Sequence, residues 1–412
     1  MADPIDRARL AALADEPLDW RHRWLPAAWQ GATGAEICAR APVLAESGVL
    51  GPVCVLSDTA LRHNIATMAR WCAERGVELA PHGKTHMSPQ LLARQLAAGA
   101  CGVTVAHVGQ ARVYRAFGVR SIILANELVD PAGLAWVAAE LDADPNLELV
   151  CWVDSTAGVV AMDAALAAAG AARPLPVCVE LGLPGGRTGC RTDGQVDAVT
   201  RAVLASPRLR LAGVAGYEAA LGQDPGPAAR AGVVDHLRRL RAAALRLAPA
   251  FETDTVLVSA GGSYYFDLVA RELAGDWPTG LRVRTVLRSG CYLTHDHGGY
   301  AQGSPLRDRL RPALTVWARV LSRPEPGLAL VGMGRRDVSF DQQLPVPLDL
   351  PQARVTRLDD QHAYLTLAGP DVPVGRWLAF GIAHPCTVFD KWPLLPVLDD
   401  AGRVVELVRT FF

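Results

Sequence analysis

Between residues 52 and 262, short apolar runs alternate with Ala-, Leu- and Arg-rich stretches of helical character. The runs read PVCVLS (52–57), VELAPHGK (77–84), GVTVAH (102–107), SIILAN (121–126), LELVCWVDS (147–155), LPVCVELG (175–182), LAGVAGYE (211–218) and TVLVSAGG (255–262). Strands that are apolar along their whole length are buried on both faces, the condition of a parallel sheet covered by helices. Eight such units fit a TIM (β/α)8 barrel, an α/β fold. VRTVLRSGCYL (283–293) is a ninth candidate, so one of the nine strands is expected to lie outside the barrel. An open doubly wound sheet is the alternative arrangement of the same pattern. Asp58 stands at the N-cap position of the first long helical stretch.

After about residue 300 the texture changes. ALTVWARVLSR, LALVGMG, ARVTRLDDQHAYLTLA and RWLAFGI read as strands joined by Pro- and Gly-rich turns, with no clear helix between them. The expected organisation is a barrel over residues 46–304 and a β-domain over 305–412, joined by part of residues 1–45.

A barrel collects its reactive groups at the C-terminal ends of its strands. Those ends carry Lys84, His107, Asn126, Asp154, Arg187, Tyr217 with Glu218, and Gly261 with Gly262. Lys84 stands out because lysine is so rare. Of 41 Lys and Arg residues only Lys84 and Lys391 are lysines, leaving 39 arginines. A guanidinium stays protonated and forms no imine, whereas a desolvated ε-amine condenses with a carbonyl. Lys84 is therefore the candidate Schiff-base residue. Lys391, beside Asp390, reads as a solvated charge.

SAGGSYYFD (259–267) follows the eighth run. Adjacent glycines let backbone N–H groups approach an anion, and a barrel often binds phosphate at this place. A Schiff-base lysine with a phosphate cradle, formed by Gly261, Gly262 and Ser263, suggests pyridoxal 5'-phosphate. Arg187, in GGRTGCR (185–191), is placed to contact the cofactor ring or its phenolate; an exposed turn arginine is the plain reading. In HPCTVFDKW (384–392), an extended backbone would turn His384 and Cys386 to one face. Imidazole and thiolate are good zinc donors, though two are fewer than the usual three. His362 is a possible neighbour and equally a surface residue.

The net charge of −1 and the lack of any basic block argue against nucleic-acid or membrane-surface binding. The opening segment lacks the apolar core of a signal peptide, and no run is long and apolar enough to span a bilayer. Nine cysteines, several in strand-like runs, read as buried thiols of a reducing cytoplasm.

Taken together, PHGKTHMSPQ (81–90), SAGGS, RSGCYLTHD (288–296) and the H-x-C of HPCTVFDKW resemble the fold-type III pyridoxal-phosphate enzymes. The likeness is to the D-serine dehydratase-like branch, which also holds D-threonine aldolases and D-threo-3-hydroxyaspartate dehydratase. It runs from about residue 50 to the end. It implies that Lys84 bears the cofactor imine and that SAGGS forms the phosphate loop. RSGCYLTHD, with Gly290 and Tyr292, would be a second phosphate-side segment, while Tyr217 and Arg187 lie by the ring. It implies zinc on His384 and Cys386. The aldolases carry H-x-D there, so Cys386 favours a dehydratase. The implied reaction takes a D-β-hydroxy-amino acid such as D-serine to a 2-oxo acid and ammonia, in a homodimer. Retro-aldol cleavage, racemisation and a non-catalytic pyridoxal-phosphate carrier are the alternatives. The β-domain counts against the carrier.

Overall fold

The computed structural model describes residues 4–369 and 372–412. The chain forms two compact units. Among the described residues, one comprises 4–5, 69–84 and 95–290; the other comprises 6–68, 85–94, 291–369 and 372–412.

The first unit is built on eight parallel strands: Glu78–Leu79, Val103–Val105, Ser121–Glu127, Glu148–Val153, Leu175–Leu181, Leu209–Gly216, Val256–Ser259 and Val283–Leu287. Each pairs in parallel with the next in sequence from Val103–Val105 onward, and Val283–Leu287 pairs with Glu78–Leu79. The ring closes just beyond Leu79. There the Cys101 N–H donates to Leu79 O at 2.8 Å, the Thr104 N–H donates to Pro81 O at 3.0 Å, and His82 pairs with Thr104. This is the expected barrel rather than an open sheet. The strand that lies outside it is the first, Val53–Ser57, and the ninth candidate takes its place.

Ala80, Ile123, Trp152, Cys178, Ala215 and Val286 fill the barrel interior, one from each of six strand segments. Large Trp152 is offset by small Ala80 and Ala215, so the interior is packed, not hollow. Several helices begin where strands end, on polar caps. Ser155 Oγ accepts the Gly158 N–H at 3.2 Å, and Thr192 Oγ1 accepts the Gln195 N–H at 3.2 Å in a capping box. For the helix Asp58–Ala73 the expected cap is one residue off. Ser57 Oγ accepts the Ala60 N–H at 3.3 Å, while Asp58, in the first turn, pairs with Arg62 and Arg94.

The second unit is centred on a largely antiparallel sheet that includes the anticipated strands Leu314–Glu325, Leu328–Val331, Arg354–Leu358, Ala363–Thr366 and Trp377–Gly381. Val53–Ser57 joins this sheet antiparallel to Leu314–Glu325, with Val53 opposite Trp317. Its other edge pairs in parallel with Leu394–Leu398, which pairs in turn with Val404–Arg409. Four consecutive buried positions explain both its apolar sequence and its resemblance to a barrel strand. The N-terminal segment is tied to this unit by the Trp24 indole N–H, which donates to Leu394 O at 2.9 Å. No described helix is long and apolar enough to cross a membrane.

Candidate active site

Lys84 sits in the 3-10 turn Gly83–Thr85, just after the first barrel strand. The turn is fixed from behind by Tyr114, whose hydroxyl donates to Gly83 O at 2.9 Å. A Cβ on Gly83 would lie 2.5 Å from the Tyr114 ring, so only glycine lets the two approach. Lys84 opens into a pocket of about 260 Å³, lined also by His82, Asn126, Arg187, Tyr217, Gly261, Gly262 and Arg288. Of the strand-end residues singled out from the sequence, the fold thus gathers Lys84, Asn126, Arg187, Tyr217, Gly261 and Gly262. His107 and Asp154 do not line this pocket. His107 precedes the helix Val108–Ala116, and Asp154 accepts the Gly189 N–H at 3.0 Å.

Arg187 lies over the Tyr217 ring, its guanidinium carbon 4.2 Å from the centroid, a cation–π pair on the pocket wall. Arg191 staples the loop that carries it, donating to the carbonyls of Gly186, Thr188 and Gly189 at 2.6–2.9 Å.

The glycine loop does not match its expected use. The Gly261 N–H donates to Glu218 Oε2 at 2.9 Å and the Gly262 N–H to Glu218 Oε1 at 2.7 Å. A fully buried carboxylate thus fills the backbone cradle anticipated for a phosphate. Gly261 has φ +98° and a Cβ there would lie 2.6 Å from the Leu287 side chain, so this position requires glycine, while a Cβ on Gly262 would sit tightly, 3.0 Å from the Tyr217 ring. The start of RSGCYLTHD packs against the glycine loop. The Arg288 N–H donates to Gly261 O at 3.0 Å, and Ser289 Oγ donates to Gly262 O at 2.8 Å. Ser263 and Gly290 do not line the pocket, and Tyr292 is buried in the second compact unit.

Two pocket groups are additions to the sequence reading. Arg288 is fully buried and donates to Ser259 Oγ and Gly216 O, both at 2.7 Å; burial lowers its pKa, against the opposing pull of Glu218 and Glu180. It ends the strand Val283–Leu287, so the strand-end rule finds it once that strand is counted in the barrel. His82 lies two residues before Lys84. Burial pushes its pKa well below the usual value, and the charges of Lys84, Arg288 and Arg187 add to this, so the ring is neutral near pH 7. Its buried Nδ1 has no partner. One amine, one orphaned imidazole nitrogen and an Arg–Tyr wall fit a cofactor that brings a carbonyl and polar ring substituents.

The second group of candidate residues lies wholly in the other unit. The segment from His384 to Cys386 is not extended, contrary to the expectation. His384 has φ +58°, Pro385 is helical, and Cys386 starts the helical turn Cys386–Phe389. The left-handed residue reverses the chain and is held by its N–H, which donates to Asp296 Oδ2 at 3.1 Å. His384 Nδ1 is hydrogen-bonded to Asp341, which leaves Nε2 to act as a ligand. A carboxylate behind an imidazole is the usual support of a metal-binding histidine. Cys386 Sγ lies 3.4 Å from Cys291 Sγ. That contact, the largest influence, draws the Cys291 thiol down to about 6 despite its burial. The donor types suit zinc, yet no three His, Cys, Asp or Glu side chains among the described residues converge as a ready metal set. His362 is exposed in the turn between Arg354–Leu358 and Ala363–Thr366. Lys391 Nζ lies 3.6 Å from Asp390, but its side chain is only 20% exposed, so it is not the solvated charge that was expected.

Comparison with known proteins finds two family descriptions: "Alanine racemase, N-terminal domain" over residues 56–276 and "Putative serine dehydratase domain" over residues 313–398. A D-threonine aldolase of Arthrobacter sp. is 28% identical over 361 residues, 86% of this chain and 90% of that protein. A D-threo-3-hydroxyaspartate dehydratase of Delftia sp. (strain HT23) is 31% identical over 244 residues, covering 54% of this chain and 63% of its own. The crystal structure of a D-threonine aldolase from Filomicrobium marinum superposes with TM-score 0.75 at 28% identity, covering 88% of this chain and 95% of that one.

Proposed function

The chain belongs to the alanine racemase N-terminal-domain family, among fold-type III pyridoxal-phosphate enzymes that process D-amino acids, and on that premise we propose that it is a zinc-dependent dehydratase. Its substrate is a D-β-hydroxy-amino acid such as D-serine; its products are a 2-oxo acid and ammonia. The observation that carries this choice over the aldolase reading is Cys386, a thiol two residues after His384 where the related aldolases would carry a carboxylate.

Bound pyridoxal phosphate supplies a carbonyl for the amine and an electron sink. His384 and Cys386 would hold a zinc ion, and its contribution would be Lewis-acid chemistry. Lys84 Nζ anchors the cofactor and, once released, takes the proton from the substrate's Cα. The Cα–H and Cβ–O bonds break, water departs, and the resulting enamine hydrolyses to the 2-oxo acid and ammonia. Neutral His82 lines the pocket beside Lys84 without adding a charge. Arg187, held over Tyr217, orients the ring edge. Glu218 fixes the glycine loop that borders the pocket. The working form is a homodimer.

The test is a panel of D- and L-β-hydroxy-amino acids assayed for 2-oxo acid release by the cofactor- and zinc-loaded protein. Release confined to D-isomers is expected; comparable turnover of L-serine would remove the reading.

A further inference from the structure

Cys291 and Cys386 are 95 positions apart in the chain, and their sulfur atoms lie 3.4 Å from each other. Cys291 opens the 3-10 turn Cys291–Leu293 and is buried; Cys386 opens its own helical turn and is partly exposed. Thr85 Oγ1 borders both sulfurs, 3.5 Å from Cys386 and 3.9 Å from Cys291. All three residues belong to the same compact unit, and neither cysteine is in a disulfide.

We propose that Cys291 and Cys386 form a redox-active dithiol, which hydroperoxides oxidise to an internal disulfide. A sulfur–sulfur bond is about 2.05 Å long, so the pair needs only small side-chain movements to close. Partial exposure makes Cys386 the point of first attack, and burial makes Cys291 the resolving partner. Sulfur of Cys386 attacks one peroxide oxygen; the O–O bond breaks, giving a Cys386 sulfenic acid and one water. Sulfur of Cys291 then attacks Cys386 sulfur; the S–O bond breaks, the S–S bond forms, and the leaving hydroxide departs as water with the remaining thiol proton. In sum the two thiols lose two electrons and two protons, and hydrogen peroxide is reduced to two waters. A thiol without such a neighbour would continue to sulfinic acid, which cellular reductants do not reverse.

The consequence for activity rests on the metal reading above. A disulfide sulfur is not a thiolate donor, so zinc and the disulfide compete for Cys386. Oxidation would release the metal, and zinc would shield the pair.

The experiment uses the full-length, reduced, chelator-treated protein. It is exposed to a small excess of hydrogen peroxide, alkylated under denaturing conditions without reductant, digested and mapped by mass spectrometry. The expected result is a peptide pair linked through Cys291 and Cys386, lighter by two hydrogens and separated by dithiothreitol. Zinc added before peroxide should slow its formation at least tenfold. In Cys291→Ser the same treatment should leave Cys386 as sulfinic acid. The inference is overturned if Cys291 of the parent protein remains alkylatable while Cys386 reaches sulfinic acid. If the linked peptide forms at the same rate with zinc present, the dithiol stands and the metal reading falls.

Discussion

Glu218 Oε1 accepts the Gly262 N–H at 2.7 Å, and its second oxygen takes the Gly261 N–H at 2.9 Å. A side-chain carboxylate therefore does for this loop what a bound anion does at other glycine turns. It fixes both amides in one direction, inside the fold, without a ligand. Glu218→Gln keeps the shape but points an NH2 group at one of two N–H donors. It also removes a negative charge that favours the buried Arg288 cation. The expected cost is about 2–4 kcal/mol, seen as a fall in Tm of several degrees together with weaker cofactor retention. An unchanged Tm and unchanged retention would mean that the loop holds its form without Glu218.

Lys84→Arg preserves the charge and removes the imine-forming amine. The visible absorbance of the protein-bound cofactor should disappear, with activity lost by several orders of magnitude, whereas Lys391→Arg should keep both. Absorbance that survives in Lys84→Arg and vanishes in Lys391→Arg would reverse the assignment.

Glu127 and Glu180 interact near the C-terminal ends of two barrel strands that flank Glu148–Val153, and both Glu127 oxygens lack any other partner. Burial first, then the charge of Glu180, push Glu127 up to about 8, from 4.5. The folded chain therefore holds a proton that the unfolded chain gives up. Below pH 4.5 this group costs nothing; as pH rises from there through 8, folded stability is lost. Glu127→Gln should match the parent in Tm near pH 5 and exceed it near pH 8. A Tm difference that does not change with pH would show that the carboxyl is not held neutral.

The metal reading separates two substrates. Cys386→Ala, or exhaustive chelation, should leave cofactor absorbance nearly intact while D-serine turnover falls by orders of magnitude. Lewis-acid assistance to a poor leaving group is worth several kcal/mol, and each ~1.4 kcal/mol is about tenfold in rate. β-Chloro-D-alanine carries a good leaving group and should lose far less. Equal losses for both substrates would make any bound metal structural.

The barrel was legible because its strands are buried on both faces, which writes an apolar run into the sequence. The same property misplaced Val53–Ser57. A central strand of the second sheet is also buried on both faces, and periodicity alone cannot tell the two apart. Lys84, Arg187, Tyr217, Gly261 and Gly262 were found because strand ends fix where side chains gather. What escaped depends on long-range contacts. That Glu218 would reach across to the glycine amides, that Cys291 would meet Cys386, and that Asp341 would back His384 are facts of folding. The left-handed turn at His384 escaped because non-glycine residues seldom adopt it.

Dehydration and aldol cleavage differ in which bond to Cβ is broken. The most direct measurement is the product set from D-threonine and D-serine with the cofactor- and zinc-loaded protein, assayed together for 2-oxo acid, ammonia, glycine and aldehyde. Loss of water predicts 2-oxobutanoate or pyruvate with an equal amount of ammonia and no glycine. Glycine with acetaldehyde or formaldehyde, and no 2-oxo acid, would mean that the Cα–Cβ bond breaks instead, and the dehydratase reading would be wrong.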